Sequence, residues 1–246
     1  LQLLVILAYN LLMKNTIQDK TKLVNSVFTK VNKKYDLMND IMSFGVHRKW
    51  KKKLLDWMQP QLNNTLIDVA SGTGDIAKLF AKRINNSAEI CCVEPNKKMY
   101  ETGKDNLKRY ANIKWYKASA EKLPFSDNIF DFYSISYGIR NVSDINLSLR
   151  EAYRVLKPGG RFMCLEFSKV DNEIVDSFYQ KYSKLIPLIG KYIVGSSEPY
   201  DYLVKSINEF YSQSDLVNLI KKNGFSNVEY RNLYNGISAI HSGWKI

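Results

Sequence analysis

The segment Leu66-Ile-Asp-Val-Ala-Ser-Gly-Thr-Gly-Asp75 is an apolar run that ends in a turn with two glycines. The segment that follows it, 76–84, spaces its apolar residues three and four positions apart, as an amphipathic helix does. A buried strand, a glycine turn and a helix in this order begin a βαβ unit of a parallel sheet. Glycine lets the backbone turn tightly and approach a ligand at the carboxyl end of the strand. The segment therefore predicts an α/β fold with a binding site at this turn.

Apolar runs elsewhere predict the remaining strands. Four more buried strands are expected, at 90–93, 113–118, 130–136 and 161–167. Two runs near the end of the chain, 228–233 and 236–244, predict a terminal strand pair.

Helical spacing lies between these runs. Helices are predicted over 21–60, around an irregular piece at 35–47, and over 99–110, 173–186 and 214–223. Another helix is expected to be capped by Ser143 and to end at Lys157-Pro-Gly-Gly160, where glycine supplies the left-handed stop. Segment 187–202 is expected to be an inserted cap or loop.

The order of these elements predicts the fold class. Alternating strands and helices indicate a doubly wound, mostly parallel, Rossmann-like sheet, to which the terminal pair adds two antiparallel strands. No linker rich in Pro, Gly or Ser divides the 246 residues. We therefore expect N-terminal helices and a single domain over 21–246, preceded by an extension over 1–20. The uncharged start of this extension, 1–12, is shorter than the about 20 residues of a membrane-spanning helix.

Charge and cysteine content narrow the functional classes. The chain has 36 Lys and Arg against 24 Asp and Glu, a formal net charge of +12, which favours anionic partners. The lysines are scattered and form no stripe, so we expect no nucleic-acid partner. The three cysteines, Cys91, Cys92 and Cys164, lack CxxC spacing, and His47 and His241 are far apart in the sequence, so no metal site is expected.

An acidic residue after the second strand points to a ribose-containing ligand. Glu94 ends that strand, where its two oxygens can accept hydrogen bonds from both hydroxyls of an adenosine ribose. NAD and S-adenosylmethionine both carry such a ribose. A pyrophosphate needs the helix N-terminus after the turn, and Asp75 places a negative charge there. A cationic sulfonium tolerates this acid, so the sequence favours S-adenosylmethionine.

Four segments resemble one family, the ubiquinone/menaquinone biosynthesis C-methyltransferases. The first resembles the N-terminal signature of that family and the second its fourth-strand motif. The third is similar to its second signature, and the fourth to its ending. The segments are Tyr35-Asp-Leu-Met-Asn-Asp-Ile-Met-Ser-Phe-Gly-Val-His-Arg-Lys-Trp50, Tyr137-Gly-Ile-Arg-Asn-Val142 with Asp144, Arg154-Val-Leu-Lys-Pro-Gly-Gly-Arg-Phe162 with Glu166-Phe-Ser168, and Asn235-Gly-Ile-Ser-Ala-Ile-His-Ser-Gly-Trp244. The resemblance covers nearly all of the chain from Thr21 onward and implies a class I methyltransferase fold.

The resemblance implies which residues bind the methyl donor, S-adenosylmethionine. With the turn and the acid considered above, the predicted cofactor-binding residues are Asp68, Gly72, Thr73, Gly74, Glu94, Ser119, Ala120 and Ser136. The chain departs from the family pattern at two positions. Ser71 stands where the family usually has Gly, which crowds the turn. Ser119 stands where the family usually has Asp or Asn, so its shorter side chain puts adenine recognition there in doubt.

The resemblance also implies which residues act on the substrate, a quinol whose ring carbon attacks the methyl group. Arg140, with Asn141 beside it, is expected to lie over the quinol and to stabilise its phenolate electrostatically. The guanidinium of an arginine keeps its proton at neutral pH, so Arg140 is not expected to act as a base. Tyr35 is a further candidate, and Asp36 and Asn39 rank with it or serve as helix caps. The aromatic residues between 186 and 211 line a tunnel for a polyprenyl tail or pack in the core.

Three functions are compatible with these features. The favoured one is C-methylation of a polyprenyl methoxybenzoquinol in ubiquinone biosynthesis, because residues 212–213 and 239–242 resemble the mitochondrial members of the family more than the menaquinone ones. The alternatives are a demethylmenaquinol methyltransferase and a catalytically weak scaffold subunit of a quinone-synthesis complex, which Ser71 and Ser119 leave open. The mitochondrial branch of the family and the positive net charge imply a protein of the mitochondrial matrix that is peripheral to the inner membrane. A homodimer and a quinone-biosynthesis complex are the expected assemblies.

Overall fold

One mixed sheet organises the chain. The computed structural model describes residues 19–20, 22–27, 29, 40, 43, 45–170 and 197–246. In these residues seven strands form one sheet with the order β3-β2-β1-β4-β5-β7-β6. The strands are β1 (Leu66–Val69), β2 (Ile90–Val93), β3 (Ile113–Tyr116), β4 (Phe130–Ser136), β5 (Leu156–Phe167), β6 (Ser226–Leu233) and β7 (Ser238–Trp244).

The pairing of the strands confirms the predicted fold class. Strands β1 to β5 pair with one another in parallel, with β1 between β2 and β4. The chain order reverses at this central strand, so the carboxyl ends of β1 and its neighbours flank a crevice. Strand β7 is antiparallel to both β5 and β6. The doubly wound sheet with an added antiparallel pair is therefore the architecture that the sequence predicted.

Helices cover both faces of the sheet. These helices include α1 (His47–Met58), α2 (Asp75–Arg83), α3 (Lys97–Asn106), α4 (Ile145–Val155), α5 (Glu198–Asn208) and α6 (Gln213–Lys222). Apolar residues of α1, α2 and α5 pack in one core cluster, and those of α4 and α6 pack in another. Neighbouring strand residues alternate between the two clusters, as Cys91 and Cys92 show. Among the described residues, no helix combines the length and apolar character that crossing a membrane would require.

Three local predictions were wrong. The cap of α4 is Asp144, whose carboxylate accepts a hydrogen bond from Leu147 N at 3.0 Å, whereas Ser143 N donates to Glu121. Helix α4 ends at Val155 without a glycine stop, because Leu156 is already extended and pairs with β4.

The third error concerns segment 187–202. Residues 198–202 begin helix α5 and are not a loop, and 187–196 lie outside the described residues. The predicted helix over 173–186 also lies outside them, as does the extension over 1–20 apart from Asp19 and Lys20.

Gly103 gives a test of how closely α3 packs on the sheet. A Cβ atom at Gly103 would lie 2.2 Å from Trp115 Cη2 and 2.8 Å from the carbonyl oxygen of Gly72. Gly103→Ala should therefore lower the free energy of unfolding by about 1–3 kcal/mol through overpacking, although alanine is the better helix former by about 1 kcal/mol. Urea unfolding measures this, with Lys104→Ala on the exposed side of α3 as the control. Unchanged or increased stability of Gly103→Ala would contradict the packing described here.

Candidate active site

The carboxyl edge of the parallel strands holds a deep crevice. Its walls come from the turn after β1, the residues after β2 and β3, and the segment after β4; lining residues from these four places include Gly72, Glu94, Ser119 and Asn141. The empty space between these walls amounts to about 770 Å³, part of it open to solvent.

The turn after β1 adopts a backbone that favours its glycines. Gly72 and Gly74 have φ of 57° and 88°, in the left-handed region. Gly74 is also the residue before α2, and a Cβ there would lie 2.5 Å from Leu107 Cδ1. Ser71 was expected to crowd the turn, but its hydroxyl donates back to the carbonyl oxygen of Asp68 at 2.5 Å. This bond keeps the Ser71 hydroxyl within the turn.

Glu94 links the turn after β1 to the start of α3 at the floor of the crevice. Its carboxylate accepts one hydrogen bond from Gly72 N and another from Asn96 N, both at 2.9 Å. The residue is 6% exposed, and burial raises its pKa to about 7 even though both hydrogen bonds favour the charged form. Each carboxylate oxygen can accept a further bond, so Glu94 can still receive hydroxyl groups from the crevice.

A smaller polar cavity lies on the other side of the same turn. It is lined by Lys51, Asp68, Ala70, Ser71, Thr73, Asp75, Ile76 and Ser136, and Ala70 also lines the large crevice. The predicted cofactor residues are thus divided. Gly72, Glu94, Ser119 and Ala120 line the large crevice, whereas Asp68, Thr73 and Ser136 line the small cavity.

Asp68 is a buried acid of the small cavity. One carboxylate oxygen accepts from Ser134 Oγ at 2.6 Å, while the other, Oδ2, has no hydrogen-bond partner. Burial raises the pKa of Asp68 to about 7, against the effect of the Ser134 bond.

Asp75 is not the isolated charge that the sequence suggested. It is the first residue of α2, and its carboxylate accepts from Lys51 Nζ at 2.7 Å. Burial would raise its pKa, but the charge and hydrogen bond of Lys51 outweigh burial and lower it. Lys51 therefore balances the negative charge of Asp75, so Asp75 alone does not exclude a pyrophosphate from this turn.

Arg140 and Asn141 face in different directions. Arg140 is buried, forms an ion pair with Glu166 of β5, and lies over the ring of Phe167 at 5.5 Å. Asn141 lines the crevice, and its side-chain oxygen accepts from Tyr202 Oη of α5 at 2.9 Å. The remaining substrate-side candidate, Tyr35, lies outside the described residues with Asp36 and Asn39.

His47 is held as a buried structural group. Its Nδ1 lies 3.0 Å from Ser43 Oγ, and burial lowers its pKa to about 4. Its imidazole is therefore neutral at pH 7. Among the described residues, no group of three or more His, Cys, Asp or Glu is placed to hold a metal ion.

Sequence reasoning missed the residues that cover the crevice. Val24 and Asn25 line it from the N-terminal segment. Asn96 holds this segment, because its amide donates to Asn25 O at 3.2 Å and to Thr29 Oγ1 at 3.1 Å. The position of Asn96, two residues after the acid and just before a helical pattern, was a recognisable cap signal. Its contact with residues some 70 positions earlier in the chain had no signal in the sequence.

Residues 14–245 match the model of the ubiE/COQ5 methyltransferase family. The chain is similar to ubiquinone/menaquinone biosynthesis C-methyltransferases of bacteria. It is 50% identical over 235 residues to that of Rickettsia bellii (strain OSU 85-389), covering 93% of this chain and 94% of the relative. It is 47% identical over 234 residues to that of Brucella abortus (strain S19), covering 93% and 87%.

Solved structures agree on the fold. A SAM-dependent methyltransferase from Thermotoga maritima superposes with a TM-score of 0.63 at 21% identity, covering 91% of this chain and all of that one. One from Aquifex aeolicus superposes with a TM-score of 0.60 at 16% identity, covering 80% and 89%. At these identities the likeness shows a class I methyltransferase fold and nothing more.

The ion pair behind the crevice gives a stability prediction. Side chains of Arg140 and Glu166 are 5% and 1% exposed, so Glu166→Gln leaves a buried cation without its counter-charge. We expect the free energy of unfolding to fall by about 3–5 kcal/mol. The double variant Arg140→Met/Glu166→Gln removes both charges and should be less destabilised than Glu166→Gln alone. A loss below about 1 kcal/mol for Glu166→Gln in urea unfolding would contradict the buried pair.

Asp68 gives a pH prediction. Its pKa is raised in the folded protein, so between about pH 4 and 7 the folded state holds a proton that the unfolded state has lost. Stability contributed by this group therefore falls as pH rises through that window. Asp68→Asn removes the effect, so its free energy of unfolding should rise relative to wild type by on the order of a few kcal/mol from pH 4 to 7.

Urea unfolding at several pH values tests this, with the exposed Asp105→Asn as the matched control. If the difference between Asp68→Asn and wild type is the same at pH 4 and pH 7, the raised pKa of Asp68 is refuted.

Proposed function

The chain belongs to the ubiE/COQ5 methyltransferase family, and we propose from this that it transfers a methyl group from S-adenosylmethionine to a ring carbon of a polyprenyl methoxybenzoquinol in ubiquinone biosynthesis. The observation that carries the proposal is the identity of about half the residues, over nearly the full length of both chains, to named C-methyltransferases of quinone biosynthesis. The whole of 21–246 is taken as the catalytic domain.

The described residues fit the donor. Glu94 keeps lone pairs for the ribose hydroxyls, and Ser119 and Ala120 line the crevice at the place proposed for the adenine. In the small cavity Asp68 Oδ2 and Ser136 Oγ are buried without partners, as expected of atoms that await a polar ligand. When bound, the donor supplies a methyl group that is electrophilic because a positively charged sulfur carries it.

On the substrate side, we propose that the Asn141 amide contacts a quinol hydroxyl. The Tyr202 hydroxyl fixes the amide by donating to its oxygen, and the amide NH₂ donates one hydrogen to Tyr137 O at 3.3 Å. The second hydrogen of the NH₂ can donate to an oxygen that is losing its proton. Phenolate formation makes the ring carbon nucleophilic. Arg140 acts as a positioning residue here, because Glu166 takes up its charge and its Nη1 also donates to Tyr137 O at 3.2 Å. Tyr35 completes the proposed set.

We also propose that the protein is peripheral to the membrane that holds its polyprenyl substrate. We further propose that it lies in the mitochondrial matrix, forms a homodimer and belongs to a quinone-biosynthesis complex. The mitochondrial branch rests on the resemblance of residues 212–213 and 239–242 to the mitochondrial members of the family. The relatives described above are bacterial and give that branch no support.

Demethylmenaquinol is the second candidate substrate, because the relatives are named for both quinones. Radiolabelled S-adenosylmethionine supplied with a short-chain methoxybenzoquinol or a short-chain demethylmenaquinol separates the two. We expect transfer to the benzoquinol. Transfer to the naphthoquinol alone would replace the ubiquinone assignment. No transfer to either, with no heat of donor binding at millimolar concentration, would indicate a scaffold.

The same assay tests the role of Glu94. Glu94→Gln keeps the volume of the side chain but loses the negative charge, and it can no longer accept at both oxygens. The KM for the donor should rise by about 10–100-fold, since a hydrogen bond to a charged group contributes about 1.5–3 kcal/mol. Glu229→Gln on the exposed face of β6 is the control. An unchanged KM for Glu94→Gln would contradict donor binding at this acid.

A further inference from the structure

Helix α1 turns several cationic side chains to solvent. Lys49, Lys52 and Lys53 are exposed, whereas the apolar residues of α1 are buried. Lys49 and Lys53 are four positions apart, so they are neighbours on the helix surface. Among the described residues no acid pairs with these three lysines, and the exposed acid of the same helix, Asp56, pairs with Arg83. The charges of the three lysines are therefore available to a partner.

Strand β6 adds a cation at the end of this helix face. Cζ of the exposed Arg231 lies 4.1 Å from the centre of the Trp57 ring, and Trp57 follows Lys53 by four positions. Lys49, Lys53 and Arg231 thus form one row, which extends over about 11 Å because each helical turn rises about 5.4 Å. We call these three residues the cationic row. Glu229 is on the same side of β6 as Arg231, and the row remains net positive with it.

A buried cation lies behind the cationic row. Arg161 is 7% exposed, and its guanidinium lies over the rings of Trp57 and Trp244 at 5.1 and 4.7 Å. It donates to Trp57 O and Ser242 Oγ, which are both neutral. Within the described part of the chain no acid forms an ion pair with Arg161. Its uncompensated charge therefore adds to the positive potential of the cationic row.

An exposed tyrosine lies beside the cationic row. Tyr234 is 49% exposed, and its ring meets that of Trp50, three positions before Lys53, edge-on at 5.7 Å. Its φ of 50° is in the left-handed region, which is uncommon for a bulky residue and points to a role for this position. Its turn is at the carboxyl edge of the sheet, because β7 begins at Ser238, opposite the last residue of β5, Phe167.

We propose that the cationic row and Tyr234 form the surface by which the protein docks on anionic phospholipid headgroups of a membrane. This assignment rests on the proposed function, in which the quinol substrate carries a polyprenyl tail. A row of exposed cations complements the negative surface of such a membrane. Tyrosine suits the boundary between water and lipid, because its ring is apolar and its hydroxyl is polar. Docking through Tyr234 places the bilayer beside the carboxyl edge, where the crevice lies.

Sedimentation of the full chain with lipid vesicles tests this surface. The vesicles consist of phosphatidylcholine alone or of equal parts of phosphatidylcholine and phosphatidylglycerol. The variant Lys49→Gln/Lys53→Gln/Arg231→Gln removes the cationic row. Its matched control, Lys98→Gln/Lys221→Gln/Lys222→Gln, removes three exposed lysines of α3 and α6 and has the same net charge. Should the loss of Arg231 from Trp57 unfold the triple variant, Lys49→Gln/Lys53→Gln takes its place.

Wild type and the control should bind the anionic vesicles and not the neutral ones, and rising salt should weaken that binding. Each cation of the row should contribute about fivefold to partitioning onto the anionic vesicles, so its complete removal should cost on the order of 100-fold. Methyl transfer to a short-chain quinol in solution should be the same in the triple variant as in wild type.

The contribution of the tyrosine is tested separately. Tyr234→Ala should weaken binding to the anionic vesicles severalfold, because it removes the ring that enters the boundary between water and lipid. Tyr230→Ala, which removes an exposed tyrosine from the same strand at 43% exposure, is the control and should bind as wild type does. Equal binding of both variants would exclude Tyr234 from the surface.

Three results would overturn the assignment of the cationic row. Wild type does not bind the anionic vesicles; the triple variant and its control lose binding equally, so that only net charge acts; or wild type binds RNA through these cations and leaves the vesicles in solution. Failure of the proposed function looks different, because methyl transfer to the soluble quinols would then be absent while vesicle binding is unaffected.

Discussion

The carboxylate of Glu94, held by the backbone N–H groups of Gly72 and Asn96, is the constraint around which the site is organised. It fixes the turn after β1 against the start of α3. Asn96 is at the same time the cap of α3 and the anchor of the N-terminal segment through Asn25 and Thr29. Glu94 thus fixes the floor of the crevice. Asn96, to which Glu94 is bonded, fixes the N-terminal segment that covers it. The raised pKa of Glu94 reflects the cost of burying that acid.

Much of the sheet was predictable because it is encoded locally. The run that forms β1, the glycines after it and the acid that ends β2 are each legible within about ten residues, and β4 was predicted to the residue. Predictions failed where pairing with a distant strand decided the outcome. Helix α4 ends at Val155 because Leu156 already belongs to β5 and pairs with Phe130 of β4. Glycines at 159 and 160 looked like a helix stop only because that partner is invisible in the sequence.

The electrostatics of the site could not be predicted in the same way. Lys51 and Asp75 are 24 positions apart, and Arg140 and Glu166 are 26 positions apart, yet each pair is in direct contact. Sequence reasoning treated Asp75 and Arg140 as available charges, and the fold supplies a counter-charge to both. The net charge of +12 therefore says little about the site, where Asp75 and Arg140 each have a counter-charge. The informative atoms of the site are Asp68 Oδ2 and Ser136 Oγ, which are buried without a hydrogen-bond partner.

The central claim is that the crevice at the carboxyl edge of the sheet binds the nucleoside part of S-adenosylmethionine. A crystal structure of the chain with S-adenosylhomocysteine tests this most directly. The account predicts that both ribose hydroxyls lie within hydrogen-bond distance of the Glu94 carboxylate and that the adenine lies beside Ser119 and Ala120. A nucleoside bound elsewhere, or a crevice closed by its own side chains with Glu94 bonded only to Gly72 and Asn96, would contradict it.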